Sequence, residues 1–240
     1  MDNPGYVTLS RQSGLMAKMN AIANNIANLS TDGFRREGVV FAEVIDALAV
    51  EGGALSQSAA RVRMTDYSQG ALRQTGGTFD FAIEGDGFFL IEDQEGLALS
   101  RAGSLAQNEF GELVTAEGRR VLDIGEAPIL VPAEVQNLAV GTDGTISADG
   151  VPIAQLGLVT VADRMLLTRQ ESGLLTTDQQ LVPAENAAVF QGFVEQSNVN
   201  PVWEITEMIE VQRAYEMGQA FLQSEDERIR QFIRTAGAQA

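Results

Sequence analysis

The side chains able to do chemistry are nearly all carboxylates: the 240 residues hold 33 Asp and Glu but no histidine and no cysteine. Without imidazole or thiol the chain lacks the usual general base, the usual zinc and haem ligands, thiol nucleophiles and disulfides. Two acids can hydrolyse a glycoside. No motif marks out such a pair, however, and aromatics at 6% are thin for a sugar cleft. The segment Glu84-Gly85-Asp86-Gly87 invites a cation or phosphate reading. It lacks the alternating oxygen ligands and closing glutamate of an EF-hand loop, and it is no Walker-type loop. Its glycines are read instead as a tight turn into a strand over Phe88–Glu92. No catalytic, cofactor-binding or metal-binding residue is assigned, and the expectation is a protein that is not an enzyme.

Charge narrows the partners. The formal net charge is −17, which repels nucleic acid and anionic lipid rather than attracting them. At 45% apolar and 20% charged residues, the chain has the composition of a folded protein with a real core. No apolar run approaches the roughly 20 residues of a membrane span, so membrane insertion is not expected. The first 29 residues hold no continuous apolar core, because Asn24, Asn25 and Asn28 interrupt it. That pattern is not a cleaved signal peptide, and any export is expected to proceed without one.

Three zones follow from periodicity. From Asn3 to Leu29, the residues Leu15, Met19, Ile22, Ile26 and Leu29 recur at spacings of 4, 3, 4 and 3, a heptad-type stripe that Leu9 and Met16 widen. The stripe stops at Ser30-Thr31-Asp32-Gly33, where Gly33 can end a helix. From Gly76 to Pro183, short β-prone runs alternate with glycine turns, and Asp143-Gly144 and Asp149-Gly150 are hairpin signals. The stretch between Arg36 and Thr75, with Gly52-Gly53 and a Ser/Gln run, reads as an extended connector. Asn200-Pro201 then caps a long helix in which Met208, Val211, Tyr215, Leu222, Ile229 and Phe232 keep a 3.5-residue register. Ile205 and Ile209 add a second row near its start. Such a helix reaches roughly 50 Å at 1.5 Å per residue.

The expected fold class is α+β: an antiparallel β-domain flanked by long N- and C-terminal α-helices that form a coiled-coil-like assembly region. Its divisions are an N-terminal assembly helix at 1–36, a connector at 37–75, a β-rich domain at 76–185, a connector at 186–200 and a C-terminal assembly helix at 201–236. Residues 1–36 carry a net charge of +2 and residues 197–236 a net of −3, which favours pairing between the two ends. Exposed ion pairs contribute at most about 1 kcal/mol each, so apolar seams must supply the energy. A helix of this kind can also serve an ordinary globular core, and a trimeric adhesin, a coiled-coil dimer or a chaperone-like binding module would show the same layout.

Asparagines inside a helical stripe are locally unfavourable. Asn24, Asn25 and Asn28 make sense either as capping residues at a frayed end or as amides that meet partners across a packed interface. At this point the sequence resembles a known family. The run Ala23 to Phe34, Ala-Asn-Asn-Ile-Ala-Asn followed by Thr31, Gly33 and Phe34, is similar to the N-terminal signature of flagellar basal-body rod and hook proteins. Ala82-Ile83-Glu84-Gly85-Asp86-Gly87-Phe88-Phe89 with Ser100-Arg101-Ala102-Gly103-Ser104 resembles a second block. Glu195 to Asn200, Met208-Ile209 and Gln212-Arg213-Ala214-Tyr215-Glu216 resemble the third. One departure is Gly76-Gly77-Thr78-Phe79-Asp80, where the family often carries an Asn-Pro-Leu-Asp type sequence. The start Met1-Asp2-Asn3-Pro4-Gly5-Tyr6 and the short length are similar to proximal-rod members, with distal-rod or other axial proteins as the alternative.

The resemblance implies a structural subunit of the proximal rod, with other rod proteins and the flagellar type III export apparatus as partners and the periplasmic rod as its place. It also implies that subunits meet through the terminal helices. The expected interface is therefore Leu15, Met19, Ile22, Asn24, Asn25, Ile26, Asn28 and Leu29 at one end. At the other it is Ile205, Met208, Ile209, Val211, Gln212, Arg213, Tyr215, Leu222, Ile229 and Phe232.

Overall fold

Alternating apolar residues build the centre of the chain and a heptad stripe builds each end. The computed structural model describes residues 3–46, 55–94, 96–132, 134–170 and 173–237; the opening Met1-Asp2 and the Gly52-Gly53 pair lie outside them. The chain divides into two compact units. A helical unit comprises Met1–Ala27, Glu37–Asp66 and Asn200–Ala240, and a β-unit comprises Asn28–Arg36 and Tyr67–Val199.

In the helical unit, α1 runs over Asn3–Ala27 and α2 over Pro201–Gly237. Helix α2 starts where the sequence places its cap. The Asn200 side-chain oxygen accepts from the amides of Val202 at 3.1 Å and Trp203 at 3.2 Å. Proline follows at the first helical position, where no amide partner is needed. Between the helices in sequence lie β1 (Glu37–Asp46) and β2 (Leu55–Thr65). They pair antiparallel from Glu37↔Thr65 to Asp46↔Leu55, with a register shift between Val40 and Phe41. Much of the stretch read as a connector is thus a long two-stranded hairpin. Its second strand opens on the polar run Ser56-Gln57-Ser58, and its alternation is confined to Ala60–Thr65, too short to announce the whole strand.

The β-unit contains β3 (Leu72–Gln74), β4 (Phe81–Glu84), β5 (Phe88–Asp93), β6 (Gly96–Ser100), β7 (Leu105–Gln107) and β8 (Leu113–Thr115). It continues with β9 (Leu138–Val140), β10 (Thr145–Ala148), β11 (Val151–Gln155), β12 (Leu158–Thr160), β13 (Thr168–Arg169) and β14 (Leu175–Thr176). Its last strands are β15 (Val182–Pro183), β16 (Ala188–Gln191) and β17 (Phe193–Glu195). The pairings are antiparallel. The largest sheet has six strands in the order β13-β14-β6-β5-β12-β15, and the turn Asp149-Gly150 joins β10 to β11.

Strand β5 shows why the unit holds together. Phe89 and Ile91 enter one buried cluster with Phe81, Ile83, Ile146 and Leu156. Phe88 and Leu90 point the other way, into a second cluster with Leu99, Leu122, Val159 and Leu175. Successive residues of a strand face opposite sides, so a continuous apolar run marks a strand buried on both. Each such side chain contributes roughly 1.5–3 kcal/mol by leaving water.

Candidate assembly surface

Two polar nodes shape the candidate site, one in each unit. In the helical unit the node is Asn25, fully buried near the end of α1. Its amide nitrogen donates to the carbonyl of Glu37 at 2.8 Å, and its oxygen accepts from the amide of Glu37 at 2.9 Å. This side chain thereby mimics a strand partner and fixes where β1 begins. The same nitrogen donates to Glu204 Oε2 at 3.2 Å, which brings in the first turn of α2. Glu204 is itself 0% exposed, and an acid in the first turn is favoured by the helix dipole. Asn24, exposed on the next position, donates to Glu37 Oε2 at 3.3 Å.

The rest of the helix pair follows from this node. Lys18 pairs with Glu207 at 2.7 Å, and Gln12 donates to the carbonyl of Tyr215 at 3.3 Å. Positions falling along α1 meet positions rising along α2, so the helices pack antiparallel. The shared seam takes up part of the expected interface. Ile22 and Val211 are buried, while Leu15, Met19, Ile26, Met208, Tyr215 and Leu222 are half-buried. Asn28 and Leu29 lie in the turn after α1 and belong to the β-unit; the Thr31 hydroxyl donates to Asn28 Oδ1 at 3.1 Å.

A second set of residues faces outward. Ile205, Ile209, Gln212, Arg213, Ile229 and Phe232 are exposed, Phe232 to 74%. Val202 at 73% and Trp203 at 61% extend this set to the start of α2, and Leu9 and Met16 expose apolar surface on α1. Single exposed apolar residues are ordinary; here Val202, Ile205 and Ile209 share one face of α2, and Ile229 and Phe232 continue the row of Met208, Val211, Tyr215 and Leu222.

The node in the β-unit was not assigned from sequence. Glu195, 1% exposed at the end of β17, is held by three donors. Arg35 Nη1 lies 2.6 Å from its Oε1, the amide of Gly70 donates to the same oxygen at 2.9 Å, and Arg101 Nε donates to Oε2 at 2.9 Å. Gly70 has no room for a side chain, since a Cβ there would lie 1.9 Å from the carbonyl oxygen of Gln196. Arg101 turns its remaining nitrogens to the glycine loop. It donates to the carbonyls of Gly87 at 2.6 Å and Gly85 at 3.0 Å, so Glu84-Gly85-Asp86-Gly87 receives a guanidinium. Burial lowers the Arg101 pKa while the Glu195 carboxylate opposes that shift; an arginine remains charged in either case. The node holds and orients. It offers no nucleophile and no open coordination.

The signal was present in the sequence. Arg101 and Glu195 sit inside two of the resembling blocks and Arg35 directly follows the first, but their spacing along the chain gives no hint that they converge.

Comparison with known proteins shows where this arrangement belongs. Residues 6–35 match the family described as flagella basal body rod protein, and residues 82–148 match the flagellar hook protein FlgE/F/G D1 domain. Residues 191–235 match the flagellar basal body rod FlgEFG protein C-terminal family. The flagellar basal-body rod protein FlgF of Mesorhizobium japonicum is 34% identical over the full length of both chains. FlgF of Caulobacter vibrioides is 36% identical over 90% of each chain. FlgG of Bacillus subtilis is 31% identical over 95% of this chain and 97% of its own.

The chain belongs to the flagellar basal-body rod protein family.

It is a FlgF-like rod protein, its role structural and its place the flagellar basal body. In this rod protein each charged member of the Glu195 node comes from a different matched stretch: Arg35 from the first, Arg101 from the second and Glu195 from the third. The Asn25 node likewise joins the first stretch to the third through Glu204.

Proposed function

We propose that the rod protein polymerises through the exposed rows of α1 and α2 as a subunit of the proximal rod, in contact with other rod proteins of the axial drive shaft. The observation that carries this reading is exposed apolar surface on α2: Val202, Ile205 and Ile209 lie on one face near its start, and Ile229 and Phe232 stay exposed on the row that carries the buried Val211 nearer that start. Helix α1 meets α2 at Glu207 and Tyr215, and the exposed apolar positions beside and beyond that stretch would meet neighbours in a coiled-coil-like bundle. Heterologous contacts that do not close are what generate helical assemblies. The proximal position is supported by the relatives: those named FlgF are 34–36% identical, and those named FlgG 30–32%. Export through the flagellar type III apparatus and a periplasmic rod location complete the reading. Membership of a structural family, together with a chain that has no histidine and no cysteine, supports a role without catalysis.

The test is a pair of α2 variants. Ile209→Asp and Phe232→Asp should leave the circular dichroism of the purified chain unchanged, yet abolish its recovery in isolated basal bodies and abolish motility in a strain dependent on the variant. Normal incorporation of both variants would defeat the proposal.

A further inference from the structure

The segment 28–36 lies between α1 and β1 in sequence but packs as part of the β-unit. Each of its residues from Asp32 onward is engaged there. Asp32 pairs with Arg73 at 3.6 Å, and the amide of Gly33 donates to the carbonyl of Glu195 at 2.7 Å. The buried Phe34 ring lies under the Arg169 guanidinium, 4.2 Å from its centroid, and Arg169 Nη1 donates to the carbonyl of Arg35 at 2.9 Å. Arg35 itself pairs with Glu195 and donates to the carbonyl of Ser68. Asn198 closes the far end, its Oδ1 accepting from the amide of Arg36 at 2.6 Å and its own amide donating to the carbonyl of Phe34 at 3.3 Å.

We propose that residues 28–36 form a strap clamped to the β-unit by the buried Arg35–Glu195–Arg101 triad, so that melting or rearrangement of α1 stops at Asn28 and leaves the β-unit intact.

Two physical features make the strap a stop. Arg35 is 4% exposed, so withdrawing it separates a buried ion pair, which is strongly opposed. If it is withdrawn, Arg101 and Glu195 still neutralise each other, so the sheet behind them keeps its own pairing. Gly33 sets the path of the strap. Its φ is +70°, and a Cβ there would lie 2.4 Å from the backbone of Arg101 and Ala102. Only glycine passes at that point without displacement. The inference concerns the monomer and holds whichever subunits the helices meet.

Amide hydrogen exchange on the full-length monomer tests this, because local openings report as separate protection levels. In the unaltered chain the amides of Gly33 and Arg36 should be protected to the level of the β5–β6 strands. Ile22→Ser should lower protection along α1 and leave those two amides within about twofold. Gly33→Ala, whose added Cβ cannot stay 2.4 Å from the backbone of Arg101 and Ala102, should lower protection at Phe34 to Arg36 by about ten- to a hundredfold, with the middle of β5–β6 unchanged. Should Gly33→Ala prevent folding, Arg35→Gln, which adds no clash, gives the same reading. Strap amides that lose protection together with α1 in Ile22→Ser, or that are unaffected by Gly33→Ala and Arg35→Gln, would overturn the proposal.

Discussion

The β-unit encloses a large apolar core, although Phe110, Leu130, Val151, Met165 and Leu166 stay exposed, whereas the helical unit buries few of its large apolar residues and leaves many outside. Phe81, Phe89, Ile91 and Leu156 are each buried to within 1% of completely. Val202, Trp203, Ile229 and Phe232 are all more than half exposed. The polar nodes differ in the same sense. Glu195 is met by two guanidiniums and a backbone amide, a closed ionic cluster inside one unit. Asn25 uses a neutral amide to tie together three elements that would otherwise part. On the proposed reading, the apolar surface of the helical unit is completed by neighbouring subunits, while the β-unit supplies its own core.

Substitutions that break this contrast differ in size. The largest effect is expected at Glu195→Ala, which leaves Arg35 and Arg101 buried without their carboxylate. Loss of one partner of a buried pair costs about 3–5 kcal/mol, and urea unfolding followed by Tyr67 and sheet signals should show it in the β-unit. Asn25→Ala is expected to cost about 1–3 kcal/mol, because the amide and carbonyl of Glu37 lose their buried partner. That loss should appear as reduced helical signal at 222 nm with the sheet amides unaffected. Lys18→Ala removes a partly exposed pair and should change stability by less than about 1 kcal/mol. The smallest effect is local. Hydrogen bonds from the Thr145 hydroxyl and amide hold the Asp143 carboxyl below its ordinary pKa of 3.8. A depressed carboxylate stabilises the folded state above that value, and the stabilisation is lost as pH falls through the lower, folded value. An acid titration followed by the Thr145 amide resonance should therefore show a transition below pH 3.8 that Asp143→Asn abolishes.

Much of this was legible in the residues. The Leu15-to-Ile26 stripe gave α1, and Asn200-Pro201 gave the start of α2. The apolar run Phe88–Ile91 gave the central strand, because burial on both faces leaves no alternation to mistake. The hairpin over 37–65 escaped notice because its second strand opens on a polar run and its pairing is made by backbone groups, which every sequence possesses. The boundary at Asn28 was hidden for a related reason. Leu29 continues the heptad spacing, but the chain leaves the helix at Ala27, and the contacts that hold 28–36 come from residues as distant as Arg169, Glu195 and Asn198. The Glu195 node depends on three charges spread over 160 positions, from Arg35 to Glu195. Local pattern carries no trace of such a meeting.

Assembly through the exposed apolar positions of α2 is most directly tested by disulfide crosslinking in intact basal bodies. The chain has no cysteine, so each introduced thiol is unique in its subunit. Single cysteines at Val202, Ile209, Ile229 and Phe232 should crosslink to partner thiols on neighbouring rod subunits, while cysteines at Ile22 and Val211 should not. Crosslinks from the buried pair, or none from these exposed positions, would contradict it.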